Sequence, residues 1–80
     1  MSNEMKYIVN SQDHKAVNLA NVIDIFVSNN HLILSLTDGR EMRFFYGTEN
    51  TLNKLFARIM DFIREDGAKV LDCDVYVKTL

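Results

Sequence analysis

The sequence predicts an α+β domain: a mostly antiparallel β-sheet, with elements in the order β-β-β-β-α-β, packs against one amphipathic helix on one face. Two β-rich runs around Asn29-Asn30 indicate a hairpin, and residues 49–66 repeat apolar side chains at helical spacing. The length of 80 residues, with no proline, supports one hydrophobic core rather than two. We therefore expect residues 1–80 to form a single small domain.

The first and last strands are the least defined part of the prediction. Met5–Val9 alternates as a strand, the polar residues after it indicate a loop, and Ala16–Asn21 suits either a short strand or a turn. After the helix, Lys69–Lys78 alternates again, with Leu71 and Cys73 on its apolar side. Whether this last strand joins the central strands or pairs with the first one stays open.

A hairpin is predicted between Val22–Ser28 and His31–Thr37. The Asn29-Asn30 loop suits a type I′ turn, because asparagine tolerates positive φ angles better than most residues. This loop sets Ser28 opposite His31 and fixes the register of both strands. The apolar pairs that then share one face are Val27 with Leu32, Ile25 with Leu34, and Ile23 with Leu36.

The next turn allows two registers, and the apolar pattern decides between them. A two-residue loop would place charged side chains of the third strand beside core leucines. A three-residue loop, Thr37-Asp38-Gly39, with Gly39 left-handed in a bulge, avoids this. It pairs Leu34 with Met42 and Leu32 with Phe44. The inner face of the resulting three-stranded meander consists of Ile23, Ile25, Val27, Leu32, Leu34, Leu36, Met42, Phe44 and Tyr46.

An amphipathic helix is predicted from Glu49 to Asp66. Thr48 is a suitable N-cap, and Gly67 is a suitable residue to follow the last turn. The helix is expected to cover the inner face of the meander, with Phe56 near the centre of the contact. Its apolar face consists of Leu52, Leu55, Phe56, Ile59, Phe62 and Ile63.

Composition narrows the classes of function. Nine basic and eleven acidic residues give a formal charge of −2 at pH 7, which argues against a nucleic-acid partner. The single cysteine, Cys73, can form neither an internal disulfide nor a thiolate zinc cluster, and it fits a reducing cytoplasm. No run approaches the roughly 18 uninterrupted apolar residues of a membrane span, and no signal-peptide pattern is visible.

No combination of residues indicates catalysis. His14 and His31 lack a nucleophile in a recognisable setting, and Asp72 and Asp74 share one face of the predicted last strand without further oxygen ligands. We therefore expect no enzymatic activity, no cofactor and no metal site.

The outer face of the meander suggests a function. Phe26 lies across from Ile33 in this register, and Phe45 lies diagonally next to Ile33. A solvent-facing sheet does not ordinarily group such side chains, so the N-terminal strand or another protein is expected to cover them. We predict a homodimeric protein–protein interaction module whose candidate interface consists of Phe26, His31, Ile33, Arg43 and Phe45. The alternative is a small ligand- or nucleic-acid-binding domain that uses the same face.

Part of the pattern resembles a known family. Residues Asn21 to Ile25, the Asp38-Gly39 turn, and Leu52 and Leu55 resemble the strand–strand–helix pattern of LytTR-type DNA-binding domains over less than half of the chain. That resemblance implies DNA binding, from which the acidic balance of this chain departs. The sequence alone therefore assigns no family.

Overall fold

A computed structural model describes residues 5–80 and contains two three-stranded sheets and one main helix. In chain order the elements are β1 (Tyr7–Asn10), β2 (Lys15–Asn18), a 3-10 turn (Leu19–Asn21), β3 (Val22–Ser28), β4 (His31–Leu36), β5 (Glu41–Tyr46), α1 (Glu49–Arg64), β6 (Val70–Asp72) and α2 (Cys73–Lys78). The first sheet has the order β2-β1-β6, in which β1 is antiparallel to β2 and parallel to β6. The second sheet is the antiparallel meander β3-β4-β5.

The α+β class is confirmed, and two elements refine it. The segment that suited either a strand or a turn forms β2, followed by the 3-10 turn. The predicted last strand is wrong beyond Asp72, because the chain continues as the short helix α2. Asp72 Oδ1 accepts the backbone N–H groups of Asp74 at 3.1 Å and Val75 at 3.3 Å, which caps a helix start at that point. The part of the predicted last strand that remains, β6, pairs with β1, so the last strand pairs with the first one and not with the central strands.

The first predicted hairpin is confirmed at its turn. Asn29 and Asn30 have φ angles of 52° and 62°, as a type I′ turn requires. Ser28 lies opposite His31, and the apolar pairs next to it have the predicted register. An irregularity between Val22 and Asp24 changes the far end, where Val22 instead of Ile23 lies opposite Leu36. The predicted inward position of Ile23 is therefore wrong, and its side chain is 69% exposed.

The second turn has the predicted three-residue loop, but the strand after it contains a bulge. Gly39 has a φ of +90°, and Leu34 lies opposite Met42. The register then shifts by one residue, so that Leu32 lies opposite Phe45 instead of Phe44. An extra residue in one strand interrupts the alternation of faces, and both phenylalanines are buried as a result. Tyr46, predicted to face inward, is 68% exposed.

Helix α1 begins as predicted and ends two residues before Asp66. Thr48 Oγ1 accepts the backbone N–H of Thr51 at 3.2 Å, which satisfies the N-terminal turn. At the other end, Lys6 Nζ donates to the carbonyl oxygens of Phe62 and Glu65, so a cation meets the negative end of the helix. The fully buried side chains of α1 are Leu52, Leu55, Ile59 and Phe62. Phe56, predicted to be central, is only partly buried and Ile63 is exposed.

One hydrophobic core joins both sheets and α1. Its buried side chains are Ile8, Val17, Leu32, Leu34, Leu36, Phe44, Phe45, Leu52, Leu55, Ile59, Phe62, Leu71 and Cys73. Burial, and next to it the charge of Asp72, raises the pKa of the Cys73 thiol to about 12, so this cysteine is a neutral core residue. Within residues 5–80, no helix is long and apolar enough to cross a membrane.

Candidate protein-interaction surface

The outer face of the meander is organised in rows that cross its three strands. Phe26 on β3 lies opposite Ile33 on β4, which lies opposite Arg43 on β5. Phe26 and Ile33 are partly buried by their neighbours, yet neither belongs to the hydrophobic core or packs against it. This row is therefore an apolar pair with a guanidinium group at one end.

The row on the turn side is aromatic and polar. Ser28, His31 and Tyr46 lie opposite one another in β3, β4 and β5. The rings of His31 and Tyr46 are 5.1 Å apart with an interplanar angle of 56°. His31 Nδ1 lies 2.9 Å from the carbonyl oxygen of Asn29, which holds the ring beside the turn. Tyr46 belongs to this surface only because of the bulge in β5, and so the sequence pattern missed it.

The row on the other side of the apolar pair is acidic. Asp24, Ser35 and Glu41 lie opposite one another across the same strands. The outer face therefore presents both signs of charge around Phe26 and Ile33, with one cation at the β5 end. A depression of about 820 Å³ lies on this face and is lined by Phe26, Ser28, Asn29, His31, Ile33, Glu41 and Arg43.

The structure brings together four of the five predicted interface residues. Phe26, His31, Ile33 and Arg43 share the outer face, whereas Phe45 is 7% exposed and belongs to the hydrophobic core. The predicted outward position of Phe45 is wrong, because the extra residue in β5 turns its side chain inward. The interface role of the other four residues stays a prediction.

The β3 edge of the meander continues this surface. Leu36 N donates to Arg40 O at 2.8 Å, and Thr37 N donates to Asn21 O at 2.9 Å. Leu36 therefore bonds toward β5, and alternate residues of β4, among them His31 and Ile33, bond toward β3. Because Phe26 and Ser28 lie opposite Ile33 and His31, they direct their backbone groups to β4. Ile25 and Val27 direct theirs to the opposite side, where β3 has no partner strand among residues 5–80.

An apolar groove lies between this edge and α1. It has a volume of about 640 Å³. Ile23 on β3 and Ile63 on α1 are 69% and 45% exposed there, and Met5 is 59% exposed. Its lining residues are Met5, Lys6, Leu19, Ala20, Val22, Ile23, Asp24, Ile25, Phe56, Met60 and Ile63. The sequence pattern missed this groove, because it assigned Ile23 and Ile63 to the core.

The two aspartates considered as candidate groups for chemistry have structural partners. Asp74, which is 6% exposed, lies within 3.2 Å of Lys78 Nζ and accepts a hydrogen bond from Ser11 at 3.5 Å. Asp72 caps α2, so the two carboxylates do not share a strand face as predicted. His14 is an exposed turn residue with a φ of 58°. In the described part of the chain, no three His, Cys, Asp or Glu residues are grouped to bind a metal.

Comparison with known proteins adds no assignment. No protein-family model, no curated protein and no solved structure matches this chain.

Proposed function

We propose that this chain is a non-enzymatic protein–protein interaction module that acts as a homodimer in the cytoplasm. The observation that carries the proposal is the pairing of Phe26 with Ile33 outside the hydrophobic core. Apolar side chains grouped on a sheet surface are typical of a contact with another protein. The single, buried Cys73 is in keeping with a reducing compartment.

A second copy of the chain is the partner that the charges favour. A self-complementary interface needs both signs of charge on one surface, so that each copy offers what the other requires. The apolar pair has Arg43 at one end of its row and the carboxylates of Asp24 and Glu41 in the next row. The net charge of −2 opposes association of two copies only weakly at physiological salt.

Sedimentation equilibrium across a range of concentrations tests the proposal. We expect a reversible dimer for the wild type, and at least a tenfold increase in the dissociation constant for Phe26→Glu, on the order expected when an interface anchor is replaced by a charge. Val75→Glu is the matched control, because Val75 is 55% exposed on α2. A wild type that remains monomeric at about 1 mM, where even a weak dimer forms, would contradict the proposal.

The alternative of a ligand- or nucleic-acid-binding domain is favoured by one observation. The depression on the outer face is lined by Phe26, His31 and Arg43, a set of side chains that can stack on and hydrogen-bond to a base. This alternative predicts that a monomeric chain binds a single-stranded oligonucleotide with an affinity that falls as salt is raised. Fluorescence anisotropy with a labelled oligonucleotide measures it, with Arg43→Gln as the variant expected to bind more weakly.

A further inference from the structure

The open edge of β3 indicates how two copies would meet. We propose that β3 of one copy pairs antiparallel with β3 of a second copy, about a two-fold axis beside Phe26, so that the two meanders form one continuous sheet. This inference rests on the proposed homodimer and specifies its geometry. It concerns the strand edge and the groove beside it, rather than the outer face alone.

The two edges of the meander are not equivalent partners for such pairing. At β5, Asn10 Nδ2 donates to Phe44 O at 2.9 Å and Lys15 Nζ donates to Arg43 O at 2.7 Å. At β3, the backbone groups of Ile25 and Val27 face the open side of the sheet. An apolar strand edge without a cover pairs readily with another strand. The structure therefore favours β3 as the edge that joins.

The backbone phase of β3 selects the register. Only Ile25 and Val27 direct N–H and C=O groups to the open side within the regular part of the strand. An axis beside Phe26 sets Ile25 opposite Val27 of the second copy, and so uses both residues in both copies. The same register sets Asp24 opposite a serine, Ser28, and sets Phe26 opposite its own copy.

The neighbouring registers are less favourable. An axis beside Ile25 would set the carboxylate of Asp24 opposite the ring of Phe26. An axis beside Val27 would run Ile25 against Asn29, whose φ of 52° belongs to the turn and not to a strand. Pairing about Phe26 is the one register that joins regular strand to regular strand without placing a charge on an aromatic ring.

The groove beside β3 would add buried surface area to the new strand pair. A stable dimer takes about 800 Å² from each partner, more than a short strand edge supplies by itself. In the proposed dimer, Phe26 meets its own copy on the outer side of the sheet. On the inner side, the grooves of both copies face each other across the axis, and Phe56, Met60 and Ile63 of each α1 lie at that contact.

Charge exchange at residue 26 tests the two-fold axis. Phe26→Glu and Phe26→Lys are each expected to weaken the dimer by at least about tenfold, because like charges then lie directly opposite one another. An equal mixture of the two variants is expected to restore association as a heterodimer. The matched controls are Val75→Glu and Val75→Lys, which place the same charges on α2, where Val75 is 55% exposed and lies outside both β3 and the outer face. These controls are expected to dimerise singly, and mixing them should change nothing.

Amide hydrogen exchange of the wild type supplies a second readout. Exchange at Ile25 and Val27 is expected to slow as protein concentration rises, whereas Phe26, bonded to β4, stays protected at every concentration. A monomeric wild type overturns both the homodimer and the strand pairing. A dimer without rescue in the mixture, and with fast exchange at Ile25 and Val27, overturns the strand pairing alone. Concentration-independent protection of these amides, or a dimer lost on deletion of residues 1–4, overturns it in favour of another segment at the edge.

Discussion

The two edges of the β3-β4-β5 sheet differ in how far the rest of the chain covers them. Along β5, the side chains of Asn10 and Lys15 donate to backbone carbonyl oxygens of the strand. The strand β3, whose one charged residue is Asp24, pairs with β4 on one side and has no partner strand on its other side among residues 5–80. One edge is covered by the β1–β2 turn region, and the other is left with an apolar groove beside it.

A register shift occurs in each of the two edge strands, and the two shifts have opposite effects on side-chain burial. In β5, the bulge turns Phe45 inward, so that this strand contributes a second phenylalanine to the core beside Phe44. In β3, the irregularity between Val22 and Asp24 leaves Ile23 exposed beside the groove. Bulges commonly re-aim side chains at sheet edges. Here one of them adds to the core and the other adds to the exposed surface beside the groove.

The largest expected difference between the edges is in the cost of removing an aromatic ring. Phe45→Ala should lower the free energy of unfolding by about 3–5 kcal/mol, because it leaves a cavity in the core. Phe26→Ala should cost several-fold less, since Phe26 packs outside the core. Urea denaturation at a concentration where the chain is monomeric gives both values. Equal losses would contradict the inward position of Phe45.

The sequence could predict the parts of the fold that depend on local chemistry. The Asn29-Asn30 turn, the Gly39 loop and the Thr48 cap each depend on a few adjacent residues, and all three are present. The positions of Ile23 and Phe45 could not be read in the same way, since one extra residue reverses an alternating pattern and leaves no mark in composition. For this reason the predicted interface wrongly includes Phe45 and omits the groove.

Two other differences have longer-range causes. The parallel pairing of β1 with β6 joins segments far apart in the chain, and periodicity carries no information about such partners. From Cys73 to Lys78, apolar residues alternate as in a strand, yet the carboxylate of Asp72 starts a helix. The alternation by itself predicts a strand. That prediction is wrong because a short alternating run competes poorly with a satisfied helix cap.

An intermediate effect is expected where the β5 edge is covered by a buried group. Asn10→Ala should lower the free energy of unfolding by about 1–3 kcal/mol, because the Phe44 carbonyl group loses its donor in a buried setting. Asn53→Ala is the control, since Asn53 is exposed on α1, and it should change stability little. Thermal or urea unfolding of both variants measures the difference. A loss at Asn10 no larger than at Asn53 would show that this contact does not cover the edge.

The smallest effect on stability is expected at Lys15. This residue also gives the most direct test of the difference between the β3 and β5 edges. Its ammonium group contacts Arg43 O in an exposed setting, so Lys15→Met should change the free energy of unfolding by no more than about 0.5 kcal/mol.

The variant nevertheless removes a charged donor from the β5 edge. The Arg43 carbonyl oxygen at the β5 edge is then open as well as the β3 edge, so association is expected to continue beyond a dimer, because β5 pairing adds a second contact that need not close. Sedimentation velocity should then show species larger than a dimer for Lys15→Met and none for Lys54→Met, which removes an exposed lysine from α1. If both variants sediment as the wild type does, the Lys15 side chain is not what keeps the β5 edge from pairing, and the Asn10 contact with Phe44 O together with the bulge in β5 becomes the better explanation.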